Sequence, residues 1–271
     1  MFPEFFHFGP FHLRSFGVML ALAFLVATWI ALGEVRKKGL DESNLLNLVL
    51  AILVSSIVGA RGMYVLTHLA DYRANPALAF ALWEGGLTLY GGLALGTIGG
   101  FAYMKRAGLP LGLTADLVTP AVALGVGIAR IGCFLNGCCF GLPGHGAWCV
   151  RFPAGSPPDA VFPGLALQPS QLYNAFAGFG LCALMLLLRG RFKAPGQLWW
   201  TFLALFMLVR IPIDATRYYE PSAYVWTGPF GPVTDSGVIG GAIFALSLPN
   251  WLPSRRAARK SAPLPTQSPH S

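Results

Sequence analysis

Seven apolar runs, at about 16–33, 45–67, 86–104, 117–136, 170–188, 196–214 and 235–252, restrict this chain more than any other feature. Each covers the roughly 20 residues that a helix needs to cross a hydrocarbon core. In lipid every backbone N–H and C=O must be satisfied within the protein, and a helix does so locally, so such runs dictate helices. Composition agrees: 55% of residues are apolar and only 11% charged, where soluble domains carry about a quarter charged. The expected fold class is all-α, a polytopic integral membrane protein with about seven transmembrane helices forming one domain over residues 1–253. The first run is too long and wrongly flanked for a cleaved signal peptide and reads as a retained helix.

Lysine and arginine placement predicts orientation. Of the 19 such residues, 12 fall on one side of the seven runs, in the segments around 36–38, 105–106, 189–193 and 255–260. The other side holds four, Arg14, Arg73, Arg151 and Arg217, and the remaining three lie within the runs. The crowded side is expected to be cytoplasmic, which places the N-terminus outside and the C-terminus inside. An odd number of spans requires the same. The net charge of +8 is then topological signal and contact with anionic lipid heads, so no nucleic-acid partner is expected. There is no dinucleotide fingerprint and no cofactor is expected. Residues 254–271, proline-rich and basic, read as a disordered cytoplasmic tail.

The three arginines within the runs are Arg61, Arg130 and Arg210. A guanidinium at that depth costs about 2.5–3.5 kcal/mol on insertion scales and must find an anion, carbonyls or a wet cavity. Three fixed cations read as a pocket for a phosphate-bearing lipid. Arg130 sits in the least ordinary passage, Gly127-Ile-Ala-Arg-Ile-Gly-Cys-Phe-Leu-Asn-Gly-Cys-Cys-Phe-Gly141. On a helix Arg130 and Cys133 share a face, with Asn136 nearly beneath them. Arg210 and Asp214, four residues apart, can pair directly, and an internal salt bridge is the plainer reading of that pair. Tyr90 stands near the start of the third run. Glycines recur there, Gly91 and Gly92 among them, and small residues let membrane helices approach closely.

The longest external segment is expected at about 137–169, rich in Gly and Pro, with a short strand around Trp148-Cys-Val-Arg-Phe152. A structured loop of that length over a polar site shapes an access path or a lid. It gathers Cys133, Cys138, Cys139, His145 and Cys149 within 17 residues. Three readings stay open for these thiols: a disulfide to Cys149, small packed side chains, or a zinc or iron site. The spacing is no C-x2-C pair, and adjacent Cys138 and Cys139 cannot readily serve one tetrahedral ion, so no metal is assigned. Cys182, mid-run, reads as packing.

Six segments in order resemble the prolipoprotein diacylglyceryl transferase family. Phe2-Pro-Glu-Phe5 and His12-Leu-Arg-Ser-Phe-Gly17 are similar to its opening, and Gly59-Ala-Arg-Gly-Met-Tyr-Val65 to its second span. Leu89-Tyr-Gly-Gly-Leu93 stands where the family has Phe-His-Gly-Gly-Leu. The Arg130 passage resembles Gly-Arg-x-Gly-Asn-Phe-x-Asn-x-Glu. Gln168-Pro-Ser-Gln-Leu-Tyr173 resembles His-Pro-Ser-Gln-Leu-Tyr, and Arg210-Ile-Pro-Ile-Asp214 resembles Arg-x-x-x-Glu. The resemblance implies transfer of a diacylglyceryl group from phosphatidylglycerol to the lipobox cysteine of a secreted lipoprotein precursor, in a bacterial cytoplasmic membrane. The partners it implies are phosphatidylglycerol, the lipobox-bearing signal peptide and membrane lipids.

By that resemblance Arg130 binds the lipid phosphate, with Arg61, Asn136, Gly91 and Gly92 around the headgroup. Arg210 holds the headgroup or leaving group, Asp214 orients Arg210, and Tyr90 takes the place of the family's histidine. Several family positions differ: Cys133 replaces an asparagine, Cys138 a glutamate, Phe16 a tyrosine, Gln168 a histidine and Asn174 an acid. The arginines persist while most proton-handling partners do not. Two alternatives therefore remain at this stage. One is a relative using the same phospholipid pocket with a different acceptor or chemistry; the other is a non-enzymatic lipid-binding protein.

Overall fold

The computed structural model describes residues 4–8, 11–73, 75–81, 85–192, 194–228 and 231–251. The basic tail expected at 254–271 lies outside them. Each of the seven apolar runs falls on a helix: α1 (Ser15–Lys37), α2 (Glu42–Thr67), α4 (Leu89–Arg106), α5 (Leu111–Asn136), α7 (Ser170–Leu188), α8 (Gln197–Ala215) and α9 (Asp235–Trp251). Short helices α3 (Leu69–Tyr72) and α6 (Pro157–Val161) lie between them. Helices α1, α2, α5, α7 and α8 are long and apolar enough to cross a membrane. Their outward side chains, such as Leu25, Trp29, Leu50, Phe176, Leu187 and Ile211, are exposed. That much apolar surface suits lipid, not water. The chain is a polytopic membrane protein. Helix α4 spans 18 residues but ends in Lys105 and Arg106, and α9 spans 17.

The body of the chain is helical, as expected, and strands occur only in its connecting segments. Three two-stranded antiparallel sheets occupy the connecting segments: β1 (Glu4–Phe8) with β2 (Phe11–Arg14), β3 (Val150–Arg151) with β4 (Ala166–Leu167), and β5 (Tyr224–Gly228) with β6 (Gly231–Thr234). Outside the helices the backbone still needs partners, and local pairing supplies them. Strand β3 falls where the alternation around Trp148–Phe152 predicts one.

Helix α5 is the centre of the bundle, packed on α1, α7 and α8. Ala123, Leu181, Cys182, Met185, Leu198 and Phe202 form the core between α5, α7 and α8. Ala31, Val35, Leu45 and Ala121 form a second core where α1, α2 and α5 meet. Polar ties at the helix ends fix this arrangement. Asp116 of α5 accepts the free N–H groups of Gly196 (2.7 Å) and Trp199 (2.9 Å) at the start of α8, the donors that a helix N-terminus leaves unpaired. Glu34 of α1 pairs with Arg189, just beyond α7.

Helices α2 and α4 form a tight pair of their own. Gly59 faces Gly91, Ser56 faces Gly96 and Ser55 faces Gly99, so closely that a Cβ on any of these glycines would strike the facing helix. Without a hydrophobic drive between helices in lipid, such small-residue contacts are what hold them together.

Candidate active site

Three chain ends are stitched together beyond α5. Gly137, with φ 77°, ends α5 in the left-handed conformation, which glycine adopts without a Cβ penalty. The segment that follows runs beside the end of α8. Leu142 N–H donates to Thr216 O (2.9 Å) and Tyr218 N–H to Phe140 O (3.0 Å), pairing Gly141 with Arg217. Phe140 stacks on Tyr218 with ring centroids 5.4 Å apart, and buried Phe140, Phe152 and Leu167 make a small core within the 137–169 segment. At the start of α7, Gln171 donates to Cys138 O (2.9 Å). The ends of α5 and α8 and the start of α7 thus form one polar surface.

Two arginines and one carboxylate line a cavity of about 670 Å³ beside α8 and α9. Arg210 Nε donates to Asp214 Oδ2 at 2.9 Å, with the two side chains 16% and 19% exposed. The pair expected from sequence therefore forms. Asp214 Oδ1 is buried with no partner among the described residues. Arg217 lines the same cavity, lies over the Tyr219 ring at 4.6 Å and has a buried Nε with no acceptor among the described residues. Burial opposes its charge, but Cys139, Tyr219 and Asp214 favour it, and the guanidinium is held above its ordinary value.

Beside this cavity lie Cys133, Cys138 and Cys139, whose sulfurs all fall within 4.8 Å of one another. Hydrogen bonds from Cys133 and Cys138 hold the Cys139 thiol well below its usual value, and the charges of Arg217 and Arg130 act in the same direction. Arg130 is half-buried and, among the described residues, has no hydrogen-bond or ion-pair partner. Asn136 closes α5, two residues before Cys138. The structure therefore brings Arg130, Asn136, Arg210 and Asp214 to one end of the bundle. All five cysteines are free; the disulfide to Cys149 is not formed, and Cys182 is packed in the core as expected.

The other predicted site residues lie elsewhere. Arg61 is buried, and each of its five N–H groups meets a carbonyl. Nε donates to Ala79 O (2.8 Å), Nη1 to Gly85 O (2.5 Å) and Gly86 O (3.1 Å), and Nη2 to Leu78 O (2.6 Å) and Ala81 O (3.2 Å). Arg61 thus ties α2 to the carbonyls of Leu78, Ala79, Ala81, Gly85 and Gly86. Gly91 and Gly92 face α2, where their smallness serves close helix packing. Tyr90, in the first turn of α4, is 40% exposed and does not line the cavity.

Arg217 is the residue that sequence reasoning missed. It stands on the sparsely charged side of the topology and reads there as one more loop arginine. It lies beyond the end of α8, and its backbone pairing with Gly141 brings it back to the cavity, a long-range contact that local spacing does not signal.

The fold and this cluster define a polytopic membrane protein that gathers several arginines at one end of its bundle. The chain matches the family described as prolipoprotein diacylglyceryl transferase over residues 3–247, and it belongs to that family. It is 32% identical over 235 residues to the phosphatidylglycerol–prolipoprotein diacylglyceryl transferase of Geobacter sulfurreducens, covering 84% of this chain and 86% of that protein. The protein of the same name from Vibrio vulnificus strain CMCP6 is 33% identical over 242 residues, 88% of this chain and 85% of its own length. That from Lactobacillus acidophilus is 27% identical over 263 residues, 95% of this chain and 91% of its own.

Proposed function

We propose that this chain moves a diacylglyceryl group from phosphatidylglycerol to the cysteine thiol of a prolipoprotein lipobox. The observation that carries the reading is the set of uncommitted cations at one end of the bundle. Arg130 has no partner among the described residues, Arg217 has a spare buried Nε, and Arg210 spends one nitrogen on Asp214. The reaction needs such a set. Its leaving group is a glycerol phosphate, which gains a second negative charge as the bond from the glyceryl carbon to the phosphate oxygen breaks. Donors fixed in a dry site stabilise developing charge best, and an arginine fork suits two phosphate oxygens at once.

In this reading Arg130 and Arg217 grip the phosphate. Arg210, aimed by Asp214, holds the headgroup side, and Asn136 closes the base of the pocket. The cavity beside α8 and α9 admits the lipid. All seven long helices span the bilayer, with the N-terminus outside and the C-terminus cytoplasmic, so the site opens on the outer face beneath the 137–169 segment. The membrane is the bacterial cytoplasmic membrane, where a signal peptide presents its cysteine on that face. Residues 1–253 form one transmembrane domain, and 254–271 a disordered tail.

The test is a transfer assay on purified protein with labelled phosphatidylglycerol and a lipobox peptide, run beside Arg130→Ala. Thioether-linked lipid on the peptide, lost in a variant that still inserts, is the expected result. Full transfer by both Arg130→Ala and Arg210→Ala would overturn the site. Lipid binding without a covalent product would overturn the reaction.

A further inference from the structure

Cys138 and Cys139 are neighbours in sequence, yet their sulfurs converge on that of Cys133. The cause lies in one backbone angle. Cys139 has φ 59°, the sole positive value at a non-glycine among the described residues. L-residues rarely adopt that region, and it persists only where the surroundings hold it. An ordinary extended Cys139 would send its side chain away from that of Cys138. Here the turned backbone brings both thiols to the same point, at the foot of a helix whose last turn supplies the third.

The arrangement is close to a metal site in size. Zinc bonds sulfur at about 2.3 Å, so the sulfurs of a tetrahedral site stand roughly 3.8 Å apart. The three here lie within 4.8 Å of one another, which a side-chain adjustment of about 1 Å closes. Charge fits as well. Three thiolates around one divalent cation leave one net negative charge, and Arg217 pairs through its backbone with Gly141, two residues from Cys139. Among the described residues no further Cys, His or carboxylate ligand atom joins the group. Three protein ligands with an open fourth position is how catalytic zinc is held, whereas structural zinc is closed by four.

We infer that Cys133, Cys138 and Cys139 form a three-thiolate site for a soft divalent cation, zinc, whose fourth position takes the acceptor thiol. The part played by the acceptor rests on the transferase reading above. A thiol bound to zinc is deprotonated outright, so its proton passes to water without a protein base. The bound sulfur then attacks the glyceryl carbon. The S–C bond forms as the C–O bond to phosphate breaks, the electron pair leaves on the phosphate oxygen, and the thioether is neutral and no longer a thiolate ligand. No electron transfer is involved. This gives the thiol proton a route that requires no protein base.

The experiment uses the full chain in detergent, reduced and handled without oxygen. Zinc content is measured first, then Co²⁺ is exchanged in and its sulfur charge-transfer absorption recorded. One zinc per chain and a thiolate–cobalt spectrum are expected in the native sequence. Both should vanish in a Cys133→Ser, Cys138→Ser, Cys139→Ser variant and survive in Cys149→Ser. Absence of both in the unaltered protein, equal binding by the triple variant, or a disulfide within the three would overturn the site. Transfer is then assayed in chelator-stripped protein. Its loss, with restoration by zinc, is expected. Transfer undiminished by stripping would overturn the role of the metal and leave the transferase reading intact. Zinc held by the three cysteines in a protein that never yields thioether would overturn that reading and, with it, the acceptor thiol as fourth ligand.

Discussion

Beside α2 and α4, Arg61 gives all five of its N–H groups to carbonyls of the segment it braces. At the α5–α8 end, Arg130, Arg210 and Arg217 keep donors in hand: one lacks a partner among the described residues, one has a single carboxylate, and one has a buried orphan Nε. All four arginines are at least partly buried, and their commitment is opposite. An arginine placed in an apolar run therefore announces only that something must satisfy it. Whether that something is the protein or a ligand depends on how many of its donors the backbone has already taken.

The sharpest test of this contrast removes the uncommitted cations. Arg130→Ala and Arg210→Ala are expected to lower transfer by about 10²–10³, the cost of losing one preorganised donor to developing charge. Arg130→Ala should unfold close to the unaltered protein, while Arg210→Ala should lose some stability because it takes the donor from Asp214 Oδ2, though less than Arg61→Ala. Arg61→Ala should behave in the reverse sense. Five carbonyls lose their donor, and stability should fall by about 3 kcal/mol, seen as a lower melting temperature and lower yield. Activity per folded molecule should change little. Comparable losses of activity by all three variants at unchanged stability would erase the distinction between the regions.

A smaller effect is expected at the glycine contact. Gly91→Ala forces a methyl group against the Gly59 carbonyl and should cost about 1–3 kcal/mol of stability as an overpacked interface. Transfer per folded molecule should be kept. A variant of normal stability that loses transfer would return Gly91 to the substrate-binding role the resemblance implies.

These regions also differ in how far they can be read from residues alone. The helices were legible because an apolar run of about 20 residues has few alternatives in lipid, and the Arg210–Asp214 pair because helical spacing fixes neighbours four apart. Arg61 was legible as a buried cation but not as a committed one: its carbonyls lie 17–25 residues away, across a turn whose Gly85 and Gly86 have positive φ. The convergence of Cys138 and Cys139 hangs on the sign of a single φ, which composition and spacing do not encode. Arg217 is hidden because it lies beyond α8 and reaches the cavity through its pairing with Gly141, 76 residues back in the chain.

Asp214 is the finest probe of the cation-rich end. One of its oxygens is spent on Arg210 Nε, and the other is buried and unpartnered among the described residues. A buried carboxylate oxygen left without a donor is costly, and the adjoining cavity is where a donor would arrive. The glycerol headgroup of phosphatidylglycerol carries hydroxyls that can fill this role. In Asp214→Asn the carbamoyl oxygen can still accept from Arg210, but the amide NH2 then occupies the place of the free oxygen and offers no acceptor to a hydroxyl donor. The expected outcome is a rise in KM for phosphatidylglycerol of about tenfold, about 1.4 kcal/mol, with kcat little changed, as when binding common to ground and transition states is lost. A fall in kcat at constant KM would place Asp214 against the reacting atoms instead. The pair would then work as one unit in the chemistry, and the boundary between gripping the lipid and cleaving it would move to α8.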